Sequence, residues 1–199
     1  MSFTLQRGLA SLVLFSGIFA TASPAAAFQK CLITGASISG NHGGVKSPGQ
    51  LYCEAQSLPL IRVTVPGHTS ADIAPRVKLA LEQAPAPKPD LILAVDLFFW
   101  DSVDPTCAPK RVSKFIETAQ ALAPGSTLVI GNVPVHGAAA QPCRIGINQA
   151  LSSSCTSEAH CLILDLEKLP NRPEYYQDAL HLSLTGSQVV AQAIQRLLK

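Results

Sequence analysis

DLILAVDLFF, residues 90 to 99, decides the fold class. It begins as a nearly continuous apolar run, and PAPKP (85 to 89), a stiff connector, precedes it. A strand that is apolar on both faces belongs in the middle of a sheet covered on both sides. Working outward, the chain alternates. CLITG (31 to 35), LIRVTVPG (60 to 67), TLVIGNVPV (127 to 135) and CLILDL (161 to 166) read as further strands. SADIAPRVKLALEQA (70 to 84), RVSKFIETAQALA (111 to 123), INQALSSSC (147 to 155) and GSQVVAQAIQRLLK (186 to 199) read as helices. In the helix over 70 to 84, Ile73, Val77 and Leu81 recur at helical spacing on one face, and Pro75 is expected in or near the first turn. Strand then helix, repeated, predicts an α/β protein: a three-layer α/β/α sandwich around a central, mostly parallel five-stranded sheet.

The rest of the chain sets the frame. GLASLVLFSGIFA (8 to 20) follows Arg7 and precedes Ala25-Ala26-Ala27, so residues 1–27 read as a signal peptide and residues 28–199 as one domain. Six cysteines, all in that domain, suggest disulfides made in an oxidising compartment, periplasmic or secreted. Cys155 and Cys161 are the one local pair expected, closing a short loop. There is no CxxC, and His160-Cys161 is the only cysteine–histidine neighbour pair, so structural zinc is not expected. The net charge is +2 and the cations are scattered, which argues against a nucleic-acid partner. The domain holds no second run long enough for a stable membrane span. GASISG lacks the phosphate-loop pattern, and no cofactor is called for.

In a doubly covered parallel sheet, ligands gather at the carboxyl ends of the strands. Three loops there carry chemistry. After CLITG comes TGASISGNHGG (34 to 44), where small Gly35 and Ala36 let the chain turn and leave Ser37 exposed as a candidate nucleophile. It equally reads as a solvated Gly/Ser loop, and it is not the GxSxG elbow. After the second strand, VPGHTSADI (65 to 73) puts Gly67 in a turn whose N–H could meet an oxyanion, or in a plain Pro-Gly turn. Before the last helix, QDALHLSLTG (177 to 186) sets Asp178 three residues ahead of His181. A serine needs a base and the base an orienter; His181 and Asp178 supply them, unless Leu180, Leu182 and Leu184 make this a core edge around a satisfied histidine. His42, His68 and His136 lie in polar Gly- or Pro-containing loops and are expected at the surface.

These loops resemble those of the SGNH hydrolases, the GDSL esterase/lipase family. TGAS at 34 to 37 resembles the Gly-Asp-Ser motif with Ala36 in place of aspartate, DALH at 178 to 181 matches Asp-x-x-His in full, and VPGHTSADI resembles the block that supplies an oxyanion glycine. The resemblance spans about residues 30 to 198. It implies a serine ester hydrolase acting through an acyl-enzyme on a small-molecule or glycan ester, with Ser37, His181 and Asp178 catalytic and the N–H groups of Ser37 and Gly67 in the oxyanion hole. The family's Gly-x-Asn-Asp block is not matched: the corresponding AVDLFFWDS (94 to 102) has no asparagine. Trp100 or Asn41 are the replacement donors considered. Asp96 serves there only in a protonated or structural role, because an ionised carboxylate accepts and does not donate. Asp101 is expected to organise the loop, and Asn132 and Pro134 to shape the rim. Phe98, Phe99 and Trp100 form either an apolar wall for an acyl chain or a buried plug. The short chain, with little insertion for a lid, points to short acyl groups or carbohydrate acetates. A catalytically weak or inactive binding protein on the same fold is the alternative, and an unrelated disulfide-stabilised module a third reading.

Overall fold

The structure is a computed structural model that describes residues 28–135, 140–168 and 172–199. The signal-peptide reading, His136 and the alanines at 138 and 139 lie outside the described residues.

Five strands form the sheet: β1 (Cys31–Gly35), β2 (Leu60–Thr64), β3 (Leu91–Ala94), β4 (Thr127–Gly131) and β5 (Cys161–Leu164). Their order is β2-β1-β3-β4-β5, and every pairing is parallel rather than mostly so. All four residues of β3 are buried, and they serve two cores alternately. Leu91 and Leu93 face one, with Cys31, Ile33 and Val129; Ile92 and Ala94 face the other, with Leu32, Leu128 and Ile130. That is the two-residue period of a strand covered on both sides.

Six helices cover the faces: α1 (Pro48–Ala55), α2 (Ser70–Gln83), α3 (Phe99–Val103), α4 (Lys110–Leu122), α5 (Arg144–Ser154) and α6 (Leu184–Leu197). α2, α4 and α5 cover one face through Ile73, Val77, Leu81, Phe115, Ile116, Ile147 and Leu151. α1 and α6 cover the other through Tyr52, Val190 and Ile194. Pro75 lies within α2, in its second turn and so deeper than expected, where no proline N–H is available for the Ala71 carbonyl. β4 stops at Gly131 and β5 at Leu164, short of the apolar runs that suggested them, because the Asn132 side chain donates to Asp165 (2.9 Å) and accepts from the Leu166 N–H (2.7 Å), turning both ends away from the ladder. α1 has no counterpart in the sequence reading. Its start is nonetheless ordinary, with Ser47 capping the Gln50 N–H at 3.2 Å and Pro48 in the first turn.

Three disulfides join Cys31 to Cys53, Cys107 to Cys143 and Cys155 to Cys161, the last being the expected local pair. Cys31–Cys53 ties the start of β1 to the end of α1 and so encloses the whole Ser37 loop.

The topology fixes where a site can form. The chain leaves β1 for β2 on one side, then returns to β3 on the other. Loops after β1 and β3 therefore diverge from a crevice at the carboxyl edge of two adjacent strands.

Candidate active site

The crevice begins at Gly35, whose φ of 143° favours glycine, and where a Cβ would run into the Asp96 carboxylate and Ser39. Asp96 follows β3 and reaches across to the serine loop. Its carboxylate accepts the Ala36 N–H at 2.9 Å, the Ile38 N–H at 2.8 Å and the Ser39 hydroxyl at 2.6 Å. The peptide donors on either side of Ser37 are thus held by one buried group, and no hydrogen bond among the described residues uses the Ser37 N–H between them. Burial pushes the Asp96 carboxyl up, against the opposing pull of Ser39, Ile38 and Ala36. Of the roles considered for Asp96, the structural one matches these contacts.

The opposite wall is the turn before α6. Tyr176 and Leu182 pair as an antiparallel bridge, and the Gln177 N–H donates to the His181 carbonyl at 2.9 Å. Inside this turn Asp178 Oδ1 accepts the N–H groups of Leu180 (2.8 Å) and His181 (2.7 Å). These two backbone bonds, then the His181 ring, hold the Asp178 carboxyl well below the usual carboxylate range. Its other oxygen lies 2.8 Å from His181 Nδ1, so the ring carries its proton there. Nε2 is then an acceptor, and it lies 3.1 Å from Ser37 Oγ. The structure therefore brings Ser37, His181 and Asp178 together in one hydrogen-bonded line, across 144 residues of sequence between the serine and the histidine.

The donors considered for an oxyanion do not all arrive. Asn41 is spent on its own loop: its Nδ2 donates to Gln50 and its Oδ1 accepts from the Ser47 N–H. Trp100 sits on α3 edge-on to Phe99, packed beside the α2/α4 core, and does not line the hollow that Ser37 and His181 share. Gly67 stays exposed just past β2, with a φ of 75°, on a segment tied to β1 by the Val65 N–H to Gly35 carbonyl bond of 3.1 Å. Asp101, expected to organise its loop, lies within α3 instead and joins it to α2 and α4. It accepts the Ser70 N–H (2.7 Å) and hydroxyl (2.8 Å) and an Arg111 guanidinium N–H (2.9 Å).

Ser37, His42 and His181 line a hollow of about 10 Å³. Next to it lies a separate cavity of about 70 Å³, which shares Ile38 and Leu182 with the hollow but is not lined by Ser37 or His181. Ile38, Phe98, Phe99, Val133, Leu180 and Leu182 are among its lining residues. Phe98 and Phe99 are thus both plug and wall: nearly fully buried, with faces on the cavity.

His42 is exposed, as expected, but it is not free of the site. Its imidazole lies on that of His181, centroids 3.5 Å apart and planes within 4°. Nitrogen and oxygen atoms of His42, Asp178 and His181 lie within 4.8 Å of one another. The stack does not suit a metal. Imidazole lone pairs lie in the ring plane and bind at about 2.0–2.1 Å, whereas an ion shared by two parallel rings at this spacing would lie far out of both planes.

No family model and no curated protein matches the sequence. Solved structures do match. TesA superposes with a TM-score of 0.68 at 17% identity, covering 86% of this chain and 98% of that one. A protein described as an SGNH hydrolase from Slackia heliotrinireducens gives 0.63 at 15%, covering 86% and 99%. The chain has the SGNH-hydrolase fold. A family 3 carbohydrate esterase from Clostridium thermocellum shares it, with a TM-score of 0.64 at 17% identity over 85% and 94%. On the SGNH fold as built here, the departures from the sequence motifs are local: Ala36 where the motif has aspartate, and Asp96 reaching back to bind the loop that Ala36 leaves without a side-chain acceptor.

Proposed function

We propose that this chain is a divergent SGNH hydrolase, an exported serine ester hydrolase acting on short-acyl or carbohydrate O-acetyl esters. The observation that carries the reading is the unbroken line Ser37–His181–Asp178. His181 Nε2 takes the Ser37 proton as Oγ bonds to the ester carbonyl carbon. The carbonyl oxygen becomes an oxyanion near the Ser37 and Gly67 N–H groups. Collapse breaks the carbon–alkoxy bond, and His181 returns the proton to the departing alcohol. Water then adds to the acyl-serine with His181 again as base, releasing the acid and free Ser37. Asp178 stays ionised and fixes the tautomer of His181 throughout.

The small space beside the serine supports a short acyl chain. The hollow at Ser37 and the neighbouring cavity beyond Ile38, about 10 and about 70 Å³, are both far below the roughly 300–1,000 Å³ of drug-sized sites. Export is supported by the leader-like residues 1–27 and by three disulfides; no described helix is long and apolar enough to cross a membrane. The second reading, a weak or inactive binding protein, is favoured by one observation: the polar side chains of Asn41, within the serine loop, and Asp96, beside it, are both committed to holding it.

The test is p-nitrophenyl acetate turnover by the oxidised protein from residue 28, beside folded Ser37→Ala and His181→Ala. Loss in both variants is expected. Equal rates in all three, or none in any, favour the binding protein.

A further inference from the structure

The reaction above gives no task to His42, whose ring lies on that of His181. Its position is built with care. Asn41 precedes it at a positive φ of 61°, held by Gln50 and Ser47, and Gly43 follows at the same positive φ. Gln177 joins the two loops, its side-chain Nε2 donating to the His42 carbonyl at 3.3 Å while its own N–H donates to the His181 carbonyl. One residue thus fastens the backbones that carry both stacked rings.

We propose that His42 is a positioning residue for the general base, acting through the face of its ring; this rests on the ester-hydrolase reading above. The two bonds that hold His181, to Asp178 and to Ser37, lie in its ring plane. They fix its rotation within that plane and leave tilting out of it weakly restrained. A parallel ring at 3.5 Å closes that motion on one face. The stack gains strength as the reaction proceeds, because His181 becomes a cation when it takes the serine proton and an aromatic face attracts a cation. An interaction stronger in the transition state than in the ground state raises kcat and leaves KM nearly alone. Aromatic pairs of this kind correspond to a factor of about 3 to 10 in rate.

The test begins with p-nitrophenyl acetate turnover by the wild type and Ser37→Ala, which by itself decides whether the ester-hydrolase reading stands. His42→Ala, His42→Leu and His42→Phe are then compared, each checked for fold by circular dichroism. The expected result is a kcat lower by about 3- to 10-fold in the Ala and Leu variants, with KM within about twofold, and recovery to within about twofold of wild type in the Phe variant. Unchanged kcat in His42→Ala and His42→Leu, or a loss in His42→Phe as large as theirs, overturns the proposal. A second measurement does not depend on turnover. In protein with labelled histidine, the His181 Hε1 resonance should lie upfield in the wild type, shielded by the ring above it, and move downfield in His42→Leu but not in His42→Phe. A resonance that stays put in His42→Leu overturns the stack whether or not the wild type hydrolyses the ester.

Discussion

The two walls of the crevice are built by different means. The base wall is local: within Tyr176–Ser183 one carboxylate binds two N–H groups of its own turn, a two-residue bridge closes that turn, and Ser183 caps the helix that follows. The serine wall is assembled from a distance: Asp96, about sixty residues downstream, clamps Ala36 and Ile38, and a disulfide closes the loop from behind. A local wall depends on a few side chains and keeps its geometry when they are kept. An assembled wall depends on the sheet, so damage to it should appear in stability as much as in rate.

That contrast can be broken first at the base wall. Ser37→Ala and His181→Ala should each lower kcat by about 10³-fold or more while leaving urea unfolding within about 0.5 kcal/mol of wild type. Next, Cys31→Ser/Cys53→Ser should lower stability by about 3 kcal/mol, the entropy of the opened loop, read from the denaturant midpoint. Asp96→Ala should cost about 2 kcal/mol, because it strands two buried N–H donors and a hydroxyl, and should lower kcat as well.

The smallest effects sharpen the comparison through pH. Asp178 has a depressed carboxyl, so any stability it brings is present above its unfolded value near 4 and is lost only as pH falls through its lower folded value. It therefore stays charged well into acid, and Asp178 should add no proton step of its own to the acid limb of kcat/KM above about pH 4. Asp96 has the opposite sign. With its folded value raised, the native state holds the extra proton, and wild-type stability relative to Asp96→Asn should fall as pH rises from about 4 toward that folded value. A flat difference across that range would remove the burial cost assigned to Asp96.

What could be read from the sequence follows the same division. The base wall lay open because Asp178 and His181 are three residues apart; β1 and β3 declared themselves as apolar runs, and the inner face of α6 by helical spacing. α1 was hidden because proline and glycine open it, although Ser47-Pro48 carried a cap signal. The Asp96 clamp and the His42 stack join segments far apart in the chain, and nothing in the local composition of SGNHGG distinguishes a ring resting on His181 from one in solvent. Trp100 and Asn41 offer N–H donors by residue type, but Trp100 packs against Phe99 and Asn41 bonds to Gln50.

The central claim is that His181 makes Ser37 a nucleophile. The most direct measurement is covalent labelling of the oxidised protein with diethyl p-nitrophenyl phosphate, with the adduct located by peptide mass spectrometry and its rate compared with that of His181→Ala. The account predicts one phosphorylated residue, Ser37, and labelling slowed by at least about 10²-fold in the variant. No adduct on Ser37, or equal labelling rates in the two proteins, would contradict it.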